Sequence, residues 1–378
     1  MAMQKEYKIF ISAAELSGDQ HAAKLINAIM DDMPTAQCFG LGGPNMENAG
    51  CELMENLVDK SAMLTHILKL VPFYKKLLKR VKKTLIEEKP DLVILVDSPA
   101  WNFNVAKVAH KLEIPVLAYI APQLWAWGGW RIKKTRRDID RIACILPFEE
   151  KWFRDRNVAA DYIGNPLFDE ESNIASNIGF NHKSKNFPTI ALLPGSRQHE
   201  IETLWLPMQE IASEIKKRYP QVNFVSAVPN AKVLNQLKSS ADAKLNIDIQ
   251  HRSIEATVRY ADLALVASGT ATMEIASQDC PMIVMYSVTK LQKMLGKLLL
   301  KIKYIALVNI LADKMLVPEF VPFEGSEEEI VHKALGILSN DQRRSAMRQE
   351  LHELMEPIIK PGAAANTIKI IKQMLPKY

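Results

Sequence analysis

The stretch "YKIFISAAELSGDQHAAKLINAIMDDM" (residues 7–33) joins two segments with different hydrophobic periodicity. Residues 7–13 form a short apolar run, which is typical of a strand that is buried on both faces. Residues 19–33 repeat apolar side chains at intervals of three and four, as one face of an amphipathic helix does. The stretch therefore predicts one strand–helix unit of a parallel sheet.

Similar strand–helix units follow along the chain. Apolar runs alternate with helical segments up to residue 147, and the pattern weakens in the polar, proline-bounded stretch 166–188. A second series begins at residue 189 and includes "LALVASG" (263–269) and "PMIVMYS" (281–287). Short apolar strands separated by helices favour parallel strands with right-handed crossovers. We therefore predict an α/β protein with two doubly wound, Rossmann-like domains that face a cleft.

The domain boundaries follow from the two series. Residues 1–165 are predicted to form the first domain, residues 166–188 a linker and residues 189–340 the second domain. Residues 341–378 have a helical pattern, and we expect this tail to pack back across the domains.

Composition narrows the classes of function. The chain has 378 residues, a net charge of +5 and 48% hydrophobic residues, which is ordinary for a globular protein and less basic than most nucleic-acid binders. The four cysteines form no CxxC pair, so we expect reduced thiols in a cytoplasmic protein and no structural zinc. No apolar run reaches 18 residues and no signal peptide is recognisable, so any membrane contact is expected to be peripheral.

Ligands of open parallel sheets bind beyond the carboxyl ends of the strands. Asp97 ends an apolar run, where a carboxylate beside apolar walls can act as a general base, and capping of the next helix is the alternative. After the first strand, Ser17 and Gly18 predict a tight turn and Asp19 a helix cap. Capping and surface charge alone are the alternative for this loop. Its ionisable residues are expected at the mouth of the cleft: Glu15, Asp19 and His21.

The second half of the chain contains two glycine turns at strand ends. In "LLPGSRQHEI" (192–201), exposed N–H groups, the helix dipole and Arg197 can bind a phosphate, although the motif is not a P-loop and a plain turn is the alternative. In "ASGTATMEIA" (267–276), Glu274 can accept a hydrogen bond from a ribose hydroxyl. Together the turns predict a nucleotide in the second domain. The residues concerned are Gly195, Ser196, Arg197, Ser268, Gly269, Thr270 and Glu274.

Three basic stretches favour contact with a membrane surface. Residues 120–141 contain three tryptophans and six Lys or Arg, residues 63–83 contain seven Lys or Arg, and residues 289–304 place four lysines at helical spacing. Basic amphipathic helices bind anionic interfaces, whereas solvated lysine faces and a tryptophan-packed core are the alternatives. The predicted membrane-binding residues are Trp125, Trp127, Trp130, Lys290, Lys293, Lys297 and Lys301.

The sequence resembles the lipid-A-disaccharide synthase family over nearly its whole length. The resemblance is carried, in order, by "AELSGDQHA", "VDSPAWNFN", "APQLWAW", "ILPFEEKWF", "YIGNPLFD", "LLPGSRQHEI", "ASGTATMEIA" and "LVNILADKMLVPEF". Enzymes of this family are similar to two-domain GT-B glycosyltransferases. They transfer 2,3-diacylglucosamine from UDP to 2,3-diacylglucosamine 1-phosphate with inversion, which gives a β-1,6 disaccharide. The resemblance therefore implies a GT-B fold, this reaction, and a location at the cytoplasmic face of the inner membrane.

The resemblance also implies roles for single residues. Asp97 corresponds to the general base for the acceptor 6-hydroxyl, with Glu15 as the second catalytic candidate. The residues that match the acceptor side are Ser17, Gly18, Asp19 and His21. Those that match the UDP-sugar side are Arg197, Ser268, Gly269, Thr270, Glu274, Asn309 and Glu319. The sequence departs from the family at Ala14, Gly128 and Pro322, and the last of these concerns one contact to the donor sugar.

No metal ion or cofactor is expected, because N–H groups of the glycine turns and Arg197 can neutralise a leaving diphosphate. The expected partners are the two lipid substrates and an anionic membrane; nucleic acid is not expected, and a homodimer is left open. The alternatives are another UDP-sugar enzyme of GT-B type, such as an epimerase, or a non-enzymatic membrane-binding protein. The apparently intact strand-end turns argue against the non-enzymatic alternative.

Overall fold

A computed structural model describes residues 6–58, 67–126, 128–169, 187–287 and 303–376. Five of the predicted membrane-binding residues lie outside these ranges, namely Trp127, Lys290, Lys293, Lys297 and Lys301. The chain divides into two compact units, of which the first comprises Met1–Asn173 and Lys360–Tyr378 and the second Ile174–Ile359.

The first unit is built on a seven-stranded parallel sheet. Its strands are β1 (Lys8–Ala13), β2 (Gln37–Gly42), β3 (Glu52–Asn56), β4 (Leu92–Val96), β5 (Val116–Tyr119), β6 (Arg141–Cys144) and β7 (Ala160–Tyr162). Its helices are α1 (Leu16–Asp32), α2 (Pro44–Asn48), α3 (Ile67–Glu88), α4 (Pro99–Lys111), α5 (Ile132–Asp138) and α6 (Pro147–Arg154), together with a C-terminal helix described below. The strand order is β3-β2-β1-β4-β5-β6-β7.

The second unit is built on a six-stranded parallel sheet. Its strands are β8 (Thr189–Leu193), β9 (Asn223–Val228), β10 (Asp248–His251), β11 (Leu263–Ala267), β12 (Met282–Met285) and β13 (Glu319–Phe320). Its helices are α7 (Gln198–Arg218), α8 (Ala231–Ser239), α9 (Ile254–Val258), α10 (Ala271–Ser277), α11 (Leu307–Ala312), α12 (Glu327–Leu338) and α13 (Asp341–Met355). The strand order is β10-β9-β8-β11-β12-β13.

Side chains along the central strands of the first sheet alternate between its two faces, and each face is part of a buried cluster. Ile9 and Ile11 of β1 belong to one buried cluster, and Phe10 between them belongs to the other. On the second face, α3 contributes Leu77 and Val81, four positions apart as helical periodicity requires. The prediction of an α/β chain with two doubly wound units is thus confirmed.

The tail is helical, but its helices belong to different units. Helix α13 lies in the second unit, whereas α14 (Ala363–Met374) lies in the first. Ile368 and Ile371 of α14 join the same buried cluster as Ile9. The carboxylate of Asp169 accepts hydrogen bonds from three backbone N–H groups at the start of α14, at distances of 2.8–2.9 Å. Among the described residues, no helix has the length and apolar character needed to cross a bilayer.

Candidate active site

Asp97 follows β4 directly and lies at the carboxyl edge of the first sheet. It is half-buried, and both Asp97 (φ +47°) and Ser98 (φ +46°) adopt left-handed backbone. Helix α4 begins at Pro99, and Ser98 rather than Asp97 occupies its N-cap position. Asp97 therefore lies at the strand end, where ligands of such sheets bind.

The loop after β1 differs from its prediction in two respects, the position of Ser17 and Gly18 and the helix that Asp19 caps. Helix α1 begins at Leu16, so Ser17 and Gly18 lie in its first turn, and Glu15 occupies the N-cap position without a side-chain cap. Asp19 is fully buried and caps α2 instead of its own helix. Its carboxylate accepts from the backbone N–H groups of Gly43, Asn45 and Met46 at 2.8–3.1 Å, and from the Asn45 side chain at 2.8 Å.

His21 and Glu15 differ in their exposure to solvent. Burial lowers the pKa of His21 to about 4, with a contribution from Lys24, so its imidazole is neutral at pH 7. Its Nδ1 atom is buried and has no hydrogen-bond partner within the described part of the chain. Glu15 and Ser17 are exposed. Of the predicted acceptor-side residues with polar side chains, these two are therefore the accessible ones.

The tryptophan-rich segment after β5 is tied to the loop after β6. The Trp125 indole donates from Nε1 to Oε1 of Glu149 at 2.9 Å, and its ring packs edge-to-face on Phe148. The other carboxylate oxygen of Glu149 accepts from the backbone N–H groups of Ile145 and Leu146 at 3.0–3.1 Å. Burial raises the pKa of Glu149 to about 7, although these three hydrogen bonds oppose the shift. Trp125 thus has a structural partner.

Trp130 has a different environment from Trp125. Its side chain is 59% exposed, and the Arg131 guanidinium lies 5.8 Å from its ring centroid. An exposed indole beside a cation is suited to the interfacial depth of an anionic membrane. Of the two described tryptophans in this segment, Trp130 is therefore the one with the exposed ring.

In the second unit, Gly195 ends the loop after β8 with φ +101°. Ser196 and Arg197 follow, and their backbone N–H groups donate to Oε2 of the buried Glu200 at 3.1 and 3.2 Å. The Arg197 side chain is 68% exposed and pairs with Oε1 of Glu200 at 3.1 Å. The expectation that these N–H groups are open for phosphate is therefore wrong here, because Glu200 accepts from both; the exposed guanidinium is the accessible charge.

The turn after β11 matches its predicted geometry. Thr270 occupies the N-cap position of α10, and the N–H of Glu274 donates to its carbonyl one helical turn later. Ser268 and Gly269 lie between strand and helix, partly accessible to solvent. This turn and the loop after β8 follow adjacent strands, since β8 pairs with β11, so both reach the same edge of the sheet.

Asn309 and Glu319 contact each other. Oε2 of Glu319 accepts from Nδ2 of Asn309 at 3.0 Å and from the N–H of Ala306 at 2.9 Å. Asn309 is fully buried, and its side chain also bonds to both the N–H and the carbonyl of Val317 at 2.9 Å. These residues therefore join α11 to β13, next to Pro322.

Within the described ranges, no group of three or more His, Cys, Asp or Glu is arranged to hold a metal ion. The chain does contain one Asp-x-Asp pair, Asp138 and Asp140. Asp138 forms an ion pair with Arg137, and Asp140 accepts from the N–H of Val116 at 2.8 Å, at the amino end of β5. Both carboxylates thus have partners, and Asp140 lies at the amino edge of the first sheet, opposite the carboxyl edge that carries Asp97.

Sequence reasoning missed three buried residues that hold the strand-end loops, namely Asn102, Glu149 and Glu200. Glu149 and Glu200 lie in quoted motifs, and a Glu three residues after a helix start is a recognisable capping signal. Asn102 also lies in a quoted motif, "VDSPAWNFN", but its bond to Ser12, 90 positions away in sequence, has no local signal.

Two Rossmann-like units with strand-end turns define the GT-B class of nucleotide-sugar enzymes, and solved structures share the fold. UDP-GlcNAc 2-epimerase from Neisseria meningitidis, bound to UDP-GlcNAc, is similar with a TM-score of 0.62 at 13% identity, over 97% of this chain and 99% of that one. The kitacinnamycin glycotransferase has a TM-score of 0.61 at 13% identity, over 98% and 99%.

Sequence comparison identifies the family within this class. The family profile described as lipid-A-disaccharide synthetase matches residues 9–372. Lipid-A-disaccharide synthase from Myxococcus xanthus is 34% identical over 98% of both chains, and that from Syntrophus aciditrophicus is 35% identical over 94% of both. The chain belongs to the lipid-A-disaccharide synthase family.

Proposed function

We propose that the chain transfers 2,3-diacylglucosamine from its UDP derivative to the 6-hydroxyl of 2,3-diacylglucosamine 1-phosphate, with inversion and release of UDP. Family membership supports a UDP-sugar glycosyltransferase. The structural observation that carries the proposal is Asp97, a half-buried carboxylate on left-handed backbone at the carboxyl edge of the first sheet.

The proposed reaction needs a base and a stabilised leaving group. Asp97 takes the proton of the acceptor 6-hydroxyl, whose oxygen then attacks the anomeric carbon as the bond to UDP breaks. Arg197 and the turn at Ser268–Thr270 carry the donors suited to the negative charge that develops on the diphosphate. The first unit thus binds the acceptor and the second the nucleotide, with no cofactor and no metal ion proposed.

The acceptor-side residues divide into two groups in this proposal. Glu15 and Ser17 are exposed at the start of α1 and are proposed to contact the acceptor. Asp19 acts indirectly, because its carboxylate is saturated by N–H groups at the start of α2. His21 is neutral at pH 7, so it can donate or accept a hydrogen bond but cannot supply positive charge to a sugar phosphate.

We also propose that the first unit contacts the cytoplasmic face of the inner membrane. The exposed side chains that support this contact are Val71, Lys75, Lys76 and Lys79 of α3 and Trp130. Cations near an anionic surface contribute about 1 kcal/mol each.

Trp130→Ala should lower binding to anionic vesicles, because it removes an exposed indole suited to the membrane interface. Tyr260→Ala is the control, because Tyr260 is equally exposed, at 59%, in the second unit. Equal losses in both variants would contradict this contact.

The reaction is tested by incubating the purified protein with UDP-2,3-diacylglucosamine and 2,3-diacylglucosamine 1-phosphate. We expect UDP and disaccharide 1-phosphate to form in equal amounts, and neither product when the acceptor is omitted. An altered UDP-sugar without acceptor would instead identify an epimerase. Activity should persist in the presence of a chelator, and strict dependence on a divalent ion would overturn the metal-free part of the proposal.

A further inference from the structure

Asn102 is a buried side chain that connects two central strands at their carboxyl ends. It lies in the first turn of α4 and is 3% exposed. Its Oδ1 accepts from the hydroxyl of Ser12, on β1, at 2.8 Å. Its Nδ2 donates to the backbone carbonyl of Asp97 at 2.7 Å and to that of Val96 at 3.1 Å.

The orientation of this amide is determined by its neighbours. Nδ2 faces the carbonyl oxygens of Asp97, Val96 and, at 3.3 Å, Ser12, and carbonyl oxygens can only accept. The hydroxyl of Ser12 in turn accepts from the indole Nε1 of Trp101 at 3.2 Å. The side chains of Asn102, Ser12 and Trp101 are buried and paired, so the network is rigid and specific.

The network acts on strained backbone. Asp97 and Ser98 are consecutive non-glycine residues with positive φ, a strained conformation that persists only where the surroundings over-determine it. The shortest of the three Nδ2 bonds goes to the carbonyl between these two residues and so holds the peptide plane on the carboxyl side of Asp97.

We propose that Asn102, supported by Ser12 and Trp101, is a positioning residue that holds the Asp97 carboxylate in the orientation needed to deprotonate the acceptor. The inference rests on the proposed function. Asn102 touches no substrate in this role, and it acts on turnover through Asp97 alone.

The test is a double-mutant cycle between Asn102 and Asp97, with turnover measured per folded enzyme. Asn102→Ala should lower kcat by about 10²-fold, because a displacement of about 1 Å of a reacting group has that effect, while the KM for the UDP-sugar stays unchanged. Ser12→Ala should give a smaller loss of the same kind, and it remains informative if Asn102→Ala folds poorly. In an Asp97→Asn background, Asn102→Ala should add less than about threefold.

Asn104→Ala is the matched control, because among the described residues the exposed Asn104 amide bonds only to carbonyls of its own helix, at 3.1 and 3.3 Å. It should leave kcat unchanged. The proposal is overturned if Asn102→Ala only lowers the melting temperature at normal kcat, or if its loss multiplies with that of Asp97→Asn. Normal turnover of Asp97→Asn would instead refute the base itself.

Discussion

Two strand ends of this molecule reach left-handed backbone by opposite means. After β8 the left-handed residue is Gly195, which has no Cβ, and the Glu200 carboxylate caps the turn. After β4 the left-handed residues are Asp97 and Ser98, held by the buried amide of Asn102. Glycine suffices where only the backbone is used, because it reaches positive φ at no steric cost. At Asp97 a side chain is carried on this conformation, and the buried amide of Asn102 holds the backbone there.

Removing the carboxylate at the non-glycine strand end should have the largest effect. Asp97→Asn keeps the shape and the backbone but loses the proton acceptor, so kcat should fall by roughly 10²–10⁴-fold. UDP binding, measured by calorimetry, should be unchanged because the proposed nucleotide site lies in the other unit. Near-normal turnover would show that Asp97 is not the base, and Glu15 would then be the next candidate.

Removing the exposed charge at the glycine strand end should have the next largest effect. Arg197→Ala should weaken UDP binding by about 10- to 100-fold, since a hydrogen bond to a charged group contributes about 1.5–3 kcal/mol. Lys217→Ala is the control, because Lys217 is equally exposed on α7 and pairs with Glu214 as Arg197 pairs with Glu200. If both variants bind UDP alike, the guanidinium has no specific role.

Adding a Cβ at Gly195 should affect folding stability. Gly195→Ala forces alanine into φ +101° and brings its Cβ against the Glu200 carboxylate, so the free energy of unfolding should fall by about 1–3 kcal/mol. Gly50→Ala, at φ +92° with no atom within 4 Å of its Cβ, isolates the backbone part of this cost. Denaturant titration gives the loss in unfolding free energy for each variant, and the difference between the two losses is the cost of the contact with Glu200. Equal losses would mean that Glu200 adjusts freely.

The segment after β6 contains Glu149, whose protonation should make the folding stability depend on pH. Burial raises the pKa of Glu149 from about 4.5 to about 7, so the folded state binds more protons than the unfolded state between these values. Its contribution to stability is therefore greatest below pH 4.5 and decreases as the pH rises to 7. The Trp125 emission, identified with Trp125→Phe, should titrate near pH 7, and Glu149→Gln should abolish this transition. A transition that survives in Glu149→Gln belongs to another group.

Placing glycine at the non-glycine strand end should have the smallest effect. Ser98→Gly relieves positive φ, and the Ser98 hydroxyl has no partner among the described residues, so little is lost with it. Relief of the left-handed strain, of order 1–3 kcal/mol, exceeds the roughly 0.4–1 kcal/mol lost because glycine is freer in the unfolded chain, so the free energy of unfolding should rise by about 1 kcal/mol. Thermal unfolding measures the change. A decrease would mean that the network at Asn102 already removes the strain at Ser98.

The sequence predicted buried elements better than edges and long-range contacts. Strand β1 lies within the predicted run 7–13, because an apolar run in a parallel sheet leaves few alternatives. Strand β3, "ELMEN", was missed because it is polar and only half-buried. The partners of Asp19 lie 24–27 residues away, so its role in capping α2 follows from the tertiary fold. Turn residues were predictable, whereas the buried residues that hold the turns were not.

The placement of α14 in the first unit has a consequence for synthesis on the ribosome. That unit's core includes Ile368, Ile371 and Leu375, which are translated only after the whole second unit. At 5–20 residues per second, the roughly 190 intervening residues take about 10–40 s. Throughout this interval the nascent first unit exposes the apolar surface that α14 later covers, so we expect it to bind chaperones that recognise such surfaces. The second unit, in contrast, is translated in full before α14.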